Sequence, residues 1–144
     1  MRLSKTIEQA CCILAIVAEH HGEPVTNVEL SERMQVSGSY LTKITRKLVV
    51  AGILRSAYGV NGGFLLAQPM ASITLRAVIV AVEGDTAFFR SENVIKRAFP
   101  AKAYVASRGV KLLENQFSEA EADWYKRLEL VTMEKLISDA TTEL

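Results

Sequence analysis

The 144 residues carry 17 basic and 16 acidic side chains for a formal net charge of +1, and 49% of them are apolar, the balance of one ordinary globular domain with an appended helical segment. The apolar runs, such as Cys11 to Ala18 and Leu48 to Leu54, are too short to span a bilayer, and the N-terminus lacks signal-peptide zoning, so a cytoplasmic location without a membrane partner is expected. Two adjacent cysteines cannot build a disulfide framework, a zinc knuckle or a multi-cysteine cluster from one chain.

The first helix is expected from near Ser4, whose hydroxyl can accept from a free first-turn amide, to about His20, where Gly22 and Pro24 stop it. Ile7, Ala10, Cys11, Leu14 and Ala18 form its core stripe, and Cys12 and Ile16 make a neighbouring side apolar as well. Core packing is the expected role of both thiols. A redox sensor would need exposure and a low pKa. His20 and His21 are adjacent on a helix and point about 100° apart, so they do not converge on one metal ion.

Thr26 with Glu29 three residues later predicts a capping box for the second helix, with Val25 stapled onto Leu30 and with Val28, Leu30 and Met34 on the buried side. Gln35, Val36 and Ser37 then form a short link. Ser37 is the expected N-cap of a third helix running to about Ala51 and closed by Gly52. So short a link forces the two helices to cross steeply, as in a helix-turn-helix. On the third helix Leu41, Ile44, Leu48 and Ala51 recur at core spacing, while Ser39, Thr42, Lys43 and Arg46 recur on the opposite side. Lys43, Arg46, Lys47 and Arg55 are the charged residues between Ser37 and Gly63, and no acid stands among them. That distribution, rather than the net charge, suggests a nucleic-acid surface. Taken alone, the same helix is equally an amphipathic helix with a solvated face.

Ile53, Leu54 and Ser56 to Tyr58 read as one strand and Phe64 to Ala67 as its partner, joined by Gly59-Val60-Asn61-Gly62-Gly63. Asn61-Gly62 predicts a tight turn with positive φ. No Lys-Ser or Lys-Thr helix follows, which rejects a nucleotide-binding loop. As a wing, the loop would reach the minor groove or the nearby backbone, with Asn61 at its tip and Arg55 and Tyr58 at its base. Tyr58 could equally pack on the strand.

The fourth helix starts at Thr74 and uses Leu75, Val78, Ile79 and Val82 before Gly84. The stretch from Arg90 to Tyr104 is unreadable beyond its charge. Arg90, Lys96, Arg97, Lys102, Arg108 and Lys111 make a second basic run, read as a solvated surface. From about Ser107 the residues Val110, Leu113, Phe117, Ala120, Trp124, Leu128 and Val131 repeat at spacings of three and four over roughly six turns. A seam that long has little to cover it inside a small domain, so pairing with the same helix of a second chain is the economical reading. Trp124, Tyr125 and Phe117 are then dimer core rather than a ligand pocket.

The opening Met1-Arg2-Leu3-Ser4-Lys5-Thr6, Pro24-Val25, Val36 to Leu41, Leu48 to Leu54, Gly62 to Ala67 and the run from Ile73-Thr74-Leu75 to Val82-Glu83-Gly84 together resemble the Rrf2 family of bacterial winged-helix transcriptional regulators. The similarity covers nearly the whole chain. It implies homodimers that bind partly palindromic operators and usually repress, with the helix holding Ser39, Tyr40, Thr42, Lys43 and Arg46 in the major groove and a short final helix near Met133 to Asp139 after a Thr132 cap. Several members hold an iron–sulfur cluster through three cysteines after the fourth helix. Residues 85–110 contain no cysteine here, and thiolates are what such a cluster most requires. No cofactor and no metal site are therefore expected, Glu8 reads as a surface carboxylate, and the better match is the cluster-free branch with YwnA-like proteins.

The expected organisation is thus mainly α with a small β-hairpin: a winged helix-turn-helix DNA-binding domain over 1–84, a connecting segment over 85–106, and a helical dimerisation region over 107–144. The expected contacts to double-stranded DNA are Lys5, Thr26, Ser37, Ser39, Tyr40, Thr42, Lys43, Arg46, Lys47, Arg55, Tyr58, Asn61, Gly62 and Gly63. The long-helix seam named above is the dimer interface. A sequence-specific transcriptional regulator is the leading reading, and a winged helix serving as a protein-interaction module stays open beside it. No nucleophile, base and orienting acid stand in recognisable context, so an enzyme is not expected. Operator, direction of regulation and any small-molecule effector are not encoded in these patterns.

Overall fold

The computed structural model describes residues 3–142, so Met1 and Arg2 of the opening motif and the last two residues of the 107–144 region lie outside the described residues. The order is α1 (Thr6–Glu19), α2 (Asn27–Met34), α3 (Gly38–Val50), β1 (Leu54–Ala57), β2 (Gly63–Leu66), α4 (Leu75–Glu83), α5 (Val94–Ala98), α6 (Ala103–Glu129) and α7 (Met133–Thr142), with 3-10 turns at Met70–Ser72 and Pro100–Lys102. This is the mainly helical architecture with one hairpin that the sequence implies. Its residues fall into two compact units, 3–85 with 128–142, and 86–127.

In the first unit the core is built from Ala10, Ile13, Leu14 and Val17 of α1, Leu30 of α2, Leu41, Ile44 and Leu48 of α3, Val78 and Val82 of α4, and Met133 of α7. On α1 the expected Ala10 and Leu14 are buried together with Ile13, Ile16 and Val17, and Ile7 and Cys11 pack against them half-buried, whereas Cys12 is exposed, so the reading of that one thiol as core is corrected. Val28, expected inside, is 65% exposed. A helix of eight residues has room for one buried row, and Leu30 occupies it. On α3 the exposed Ala51 yields its expected core place to Thr45, 1% exposed. Thr45 is tolerated there because its hydroxyl donates to the carbonyls of Leu41 and Thr42 at 3.1 and 3.2 Å.

The helix ends follow local chemistry. The Ser4 hydroxyl accepts from the Thr6 amide at 3.2 Å and is also bonded to the Glu83 carboxylate. Thr26 caps α2 by accepting from the Glu29 amide at 3.1 Å. The other half of the expected capping box is replaced, because the Glu29 carboxylate lies 2.7 Å from His20 Nε2. Ser37 makes no side-chain cap on α3; its hydroxyl lies 3.5 Å from that of Ser39. Gln35, in the left-handed region at φ 53°, turns the chain between the helices instead. The α3 C-terminus closes with Gly52 N–H to Val49 and Ile53 N–H to Leu48, the reciprocal pair of a Schellman ending.

β1 and β2 pair antiparallel from Leu54↔Leu66 to Ala57↔Gly63, and Val25 adds a bridge to Phe64. Five residues separate the strands, and the turn is closed by Gly62 N–H to the Gly59 carbonyl at 3.0 Å. Val60 and Asn61 therefore sit at its centre, and Asn61 does not take the positive φ expected of a two-residue turn; Gly59 does, at 105°. Longer loops of this kind are built on ordinary turns with negative φ. A side chain at Gly63 would place Cβ 2.5 Å from the Val25 carbonyl oxygen, so the bridge that joins the wing to α2 needs glycine there.

α7 belongs to this same unit. Thr74 bridges Thr132, Leu75 N–H donates to Val131 at 2.8 Å, and Met133 N–H donates to Ile73 at 2.8 Å. Thr132 caps α7 by accepting from Lys135 N–H at 3.1 Å, as Thr74 caps α4 by accepting from Ala77 N–H.

The second unit holds α5 and most of α6. Phe88 meets Trp124 edge-on at 5.1 Å and Tyr125 at 5.8 Å, and Phe89 stacks on Phe117 at 4.8 Å. The Phe88 amide donates to the Glu121 carboxylate at 3.2 Å. The connecting segment is thus clamped by two phenylalanines whose partners lie some thirty positions away in the chain, a pairing that no local pattern announces.

Candidate nucleic-acid interface

The exposed side of α3 presents Ser39, Thr42, Lys43, Arg46 and Lys47, with Val50 at its end. Lys43 and Arg46 make no ion pair or hydrogen bond among the described residues. Two unpaired cations on a helix face over a well-packed core are arranged to meet acceptors from outside, whether phosphate oxygens or the O6 and N7 edge of guanine. Lys47 is occupied differently: its ammonium donates to the Val82 carbonyl at 2.5 Å, at the C-terminal end of α4. There it satisfies a terminal carbonyl and offsets the negative end of the helix dipole.

Thr42 is held as well as exposed. Its hydroxyl donates to the Gly38 carbonyl at 2.8 Å, and the Asn27 amide donates to the same carbonyl at 3.0 Å and to the Thr42 hydroxyl at 3.3 Å. Asn27, the first residue of α2, thereby ties the start of α3 to α2 and sets how the two helices cross. The sequence reading missed it. A residue just inside a helix start carries no spacing signal that would mark a partner eleven positions on.

Thr26 is committed to capping, and Ser37 and Ser39 lie at the solvent-facing entry to α3. Tyr40 turns inward: it packs against the core, its hydroxyl lies 3.3 Å from that of Thr6, and Lys5 places its ammonium 5.9 Å from the ring centroid. Lys5 and Tyr40 are therefore brought together, and Tyr40 positions Lys5 by a cation–π contact rather than standing out from the surface.

On the hairpin, Leu54 and Leu65 point to the core while Arg55 points out. Tyr58 is 94% exposed and Val60 104%, so Tyr58 is free of strand packing. Val60, which the sequence reading passed over, shares the tip with Asn61. Gly62 and Gly63 let the backbone close beneath it, since a Cβ at Gly62 would come within 2.7 Å of the Ala57 carbonyl oxygen.

Of the expected dimer seam, Val110 is buried, Trp124, Leu128 and Val131 are half-buried, and Leu113, Phe117 and Ala120 are exposed. Every residue from Lys111 to Ala120 is exposed. Along that stretch the ring of Phe89 covers Phe117 in part. The second basic run, from Arg90 to Lys111, is exposed at each of its cations.

The chain matches, over residues 3–139, the model of the Rrf2 family, described as an iron-dependent transcriptional regulator. It is 33% identical over 125 residues to YwgB of Bacillus subtilis (strain 168), which carries an HTH-type transcriptional regulator name, covering 86% of this chain and 76% of that one. Among solved structures, CymR of B. subtilis, the global cysteine regulator, superposes with a TM-score of 0.64 at 21% identity over 96% of this chain and 97% of that one. IscR of T. potens superposes with a TM-score of 0.66 at 22% identity over 99% and 90%. The iron in the family description finds no fitting donors here. Cys11 and Cys12 are the two cysteines of the chain, burial pushes the Cys11 thiol up from its ordinary value, and no three His, Cys, Asp or Glu side chains converge among the described residues. What the match does carry is the winged architecture and the regulator class: this chain belongs to the Rrf2 family and is a DNA-binding transcriptional regulator, not an enzyme.

Proposed function

We propose that two copies of this chain, related by a two-fold axis, bind a partly palindromic operator and repress transcription from it. The exposed, unpaired Lys43 and Arg46 on a helix with no acid nearby carry this reading. Ser39, Thr42, Lys43 and Arg46 enter the major groove, Lys5 and Ser37 flank it, and Arg55, Tyr58 and Asn61 reach the minor groove or backbone. Thr26, Tyr40, Lys47, Gly62 and Gly63 support that surface by capping, packing or turning. Residues 3–84 form the reading domain, 85–106 connect it, and the α6 part of 107–144 supplies the contact between copies.

Anisotropy with duplex DNA from upstream of the protein's own gene, titrated between 50 and 200 mM salt, tests this. If each subunit neutralises three or four phosphates, log K against log salt should have a slope on the order of −6 for the dimer. A flat response, or equal affinity for unrelated DNA, overturns it in favour of a protein-interaction module.

A further inference from the structure

Between the second half of α3 and α4 runs a groove of about 750 Å³ lined by Val50, Ala51, Ile53, Ala77, Val80 and Ala81, with Lys43, Arg46, Lys47 and Gln68 at its edge. Its size falls within the roughly 300–1,000 Å³ typical of small-molecule sites. Three cations edge it, and no carboxylate is among its lining residues. The floor is made by small and branched apolar side chains, three of them alanines, so a slender chain can lie along it. From these features we infer that the groove binds a small amphipathic carboxylate, its apolar tail along Ala77, Val80 and Ala81 and its head among Lys43, Arg46 and Lys47.

Charge complementarity selects this occupant. An uncharged tail alone would leave three ammonium or guanidinium groups at its edge without a counter-charge, and a cation would be repelled by all three. The negative end of the α3 dipole near the groove would disfavour an anion, but in that last turn the Lys47, Leu48 and Val49 carbonyls already accept from Ala51, Ile53 and Gly52, and the Lys47 ammonium covers the Val82 carbonyl. The binding site stands independently of any DNA. Its regulatory consequence rests on the operator reading above: a carboxylate held by Lys43 and Arg46 takes from DNA the two cations that α3 offers it, so ligand and operator compete.

Isothermal titration calorimetry of the full chain with sodium decanoate below its micelle concentration tests the site. Saturable binding of one decanoate per chain is expected, with decyltrimethylammonium weaker by about tenfold or more. Val50 is 82% exposed, so Val50→Glu leaves the core untouched while adding an anion to the groove, and it should weaken decanoate by about tenfold or more. Equal binding of the two detergents, or decanoate binding unchanged in Val50→Glu, overturns the site. Dissociation of a dimer by Val50→Glu in sedimentation also overturns it, because the groove would then be a contact between copies. In the second arm decanoate should lower operator affinity several-fold in anisotropy. Calorimetric binding with unaltered operator affinity keeps the site and overturns the competition, whereas absence of any operator binding falls on the DNA reading alone.

Discussion

Two neighbouring cations on α3 differ in what the fold asks of them. Arg46 projects without a partner, and Lys47, one position on and therefore rotated by about 100°, is bonded to the end of α4. Arg46→Ala should weaken operator binding by roughly 1–3 kcal/mol with an unchanged melting temperature. Lys47→Met should instead lower stability by about 0.3–1 kcal/mol, the size of a cation at a helix C-terminus, and move operator affinity less. Anisotropy and thermal melts on the same two preparations separate the roles, and identical behaviour of the variants would refute the division. The thiols divide in the same way. Cys11 is held above its ordinary 9.0 mainly by burial, then by Cys12 beside it, whereas Cys12 is exposed. Iodoacetamide at about pH 8 should label Cys12 first and Cys11 slowly. Because the folded value of Cys11 lies above the unfolded one, its contribution to stability is complete below 9.0 and is lost as pH rises through the folded value. A denaturation series should therefore show an alkaline decline that is shallower in Cys11→Ala.

At the scale of elements, the crossing of α2 and α3 rests on the Asn27 amide. Asn27→Ala removes two donated hydrogen bonds and leaves the Gly38 carbonyl with Thr42 alone, a loss of about 1–3 kcal/mol for a part-buried group. Operator affinity should fall with it, since the start of α3 is then free to tilt. A variant as stable as the parent in urea would show that Asn27 does not set the crossing. The position also marks where sequence reasoning reaches its limit. Thr26, Thr74 and Gly52 could be read because a cap or a helix stop is chemistry among residues three or four apart, and α2, α3, the hairpin and α4 follow from such signals. Asn27, Lys47 and the Phe88–Trp124 pair act over eleven, thirty-five and thirty-six positions, and only the packed chain brings them together. Periodicity likewise found the buried side of α3 but not Thr45, because a hydroxyl that bonds back to its own helix behaves as an apolar residue without looking like one. The turn missed its register for a related reason: Asn61-Gly62 is a strong local signal, but the five-residue span between the strands is fixed by Val25 bridging Phe64, a contact outside the hairpin.

For the whole molecule the question is what covers α6. Its 27 residues make a rod of about 40 Å, and each residue from Lys111 to Ala120 is exposed in a single chain. Leu112, Leu113 and Phe117 lie there at 56%, 39% and 45% exposure. Three large apolar side chains within two turns have a hydrophobic penalty in water that association removes, and a second copy of the same helix, antiparallel about a two-fold axis, presents the same three to them. Phe117 is engaged by its stack on Phe89, so in the proposed dimer the contact between copies would fall more heavily on Leu112 and Leu113. Leu113→Glu should therefore dissociate the pair while leaving each chain folded, which sedimentation and circular dichroism report directly. Its effect on DNA distinguishes this arrangement from simple loss of structure. A dimer spans half-sites about one helical turn, roughly 34 Å, apart, and a released monomer keeps one α3 and one wing. Operator affinity should collapse, and the salt slope should fall from the order of −6 to about −3, because half the phosphate contacts remain. A Leu113→Glu protein that sediments as a monomer yet retains the full slope would mean that a single chain makes all the contacts, and the two-fold model would have to be abandoned.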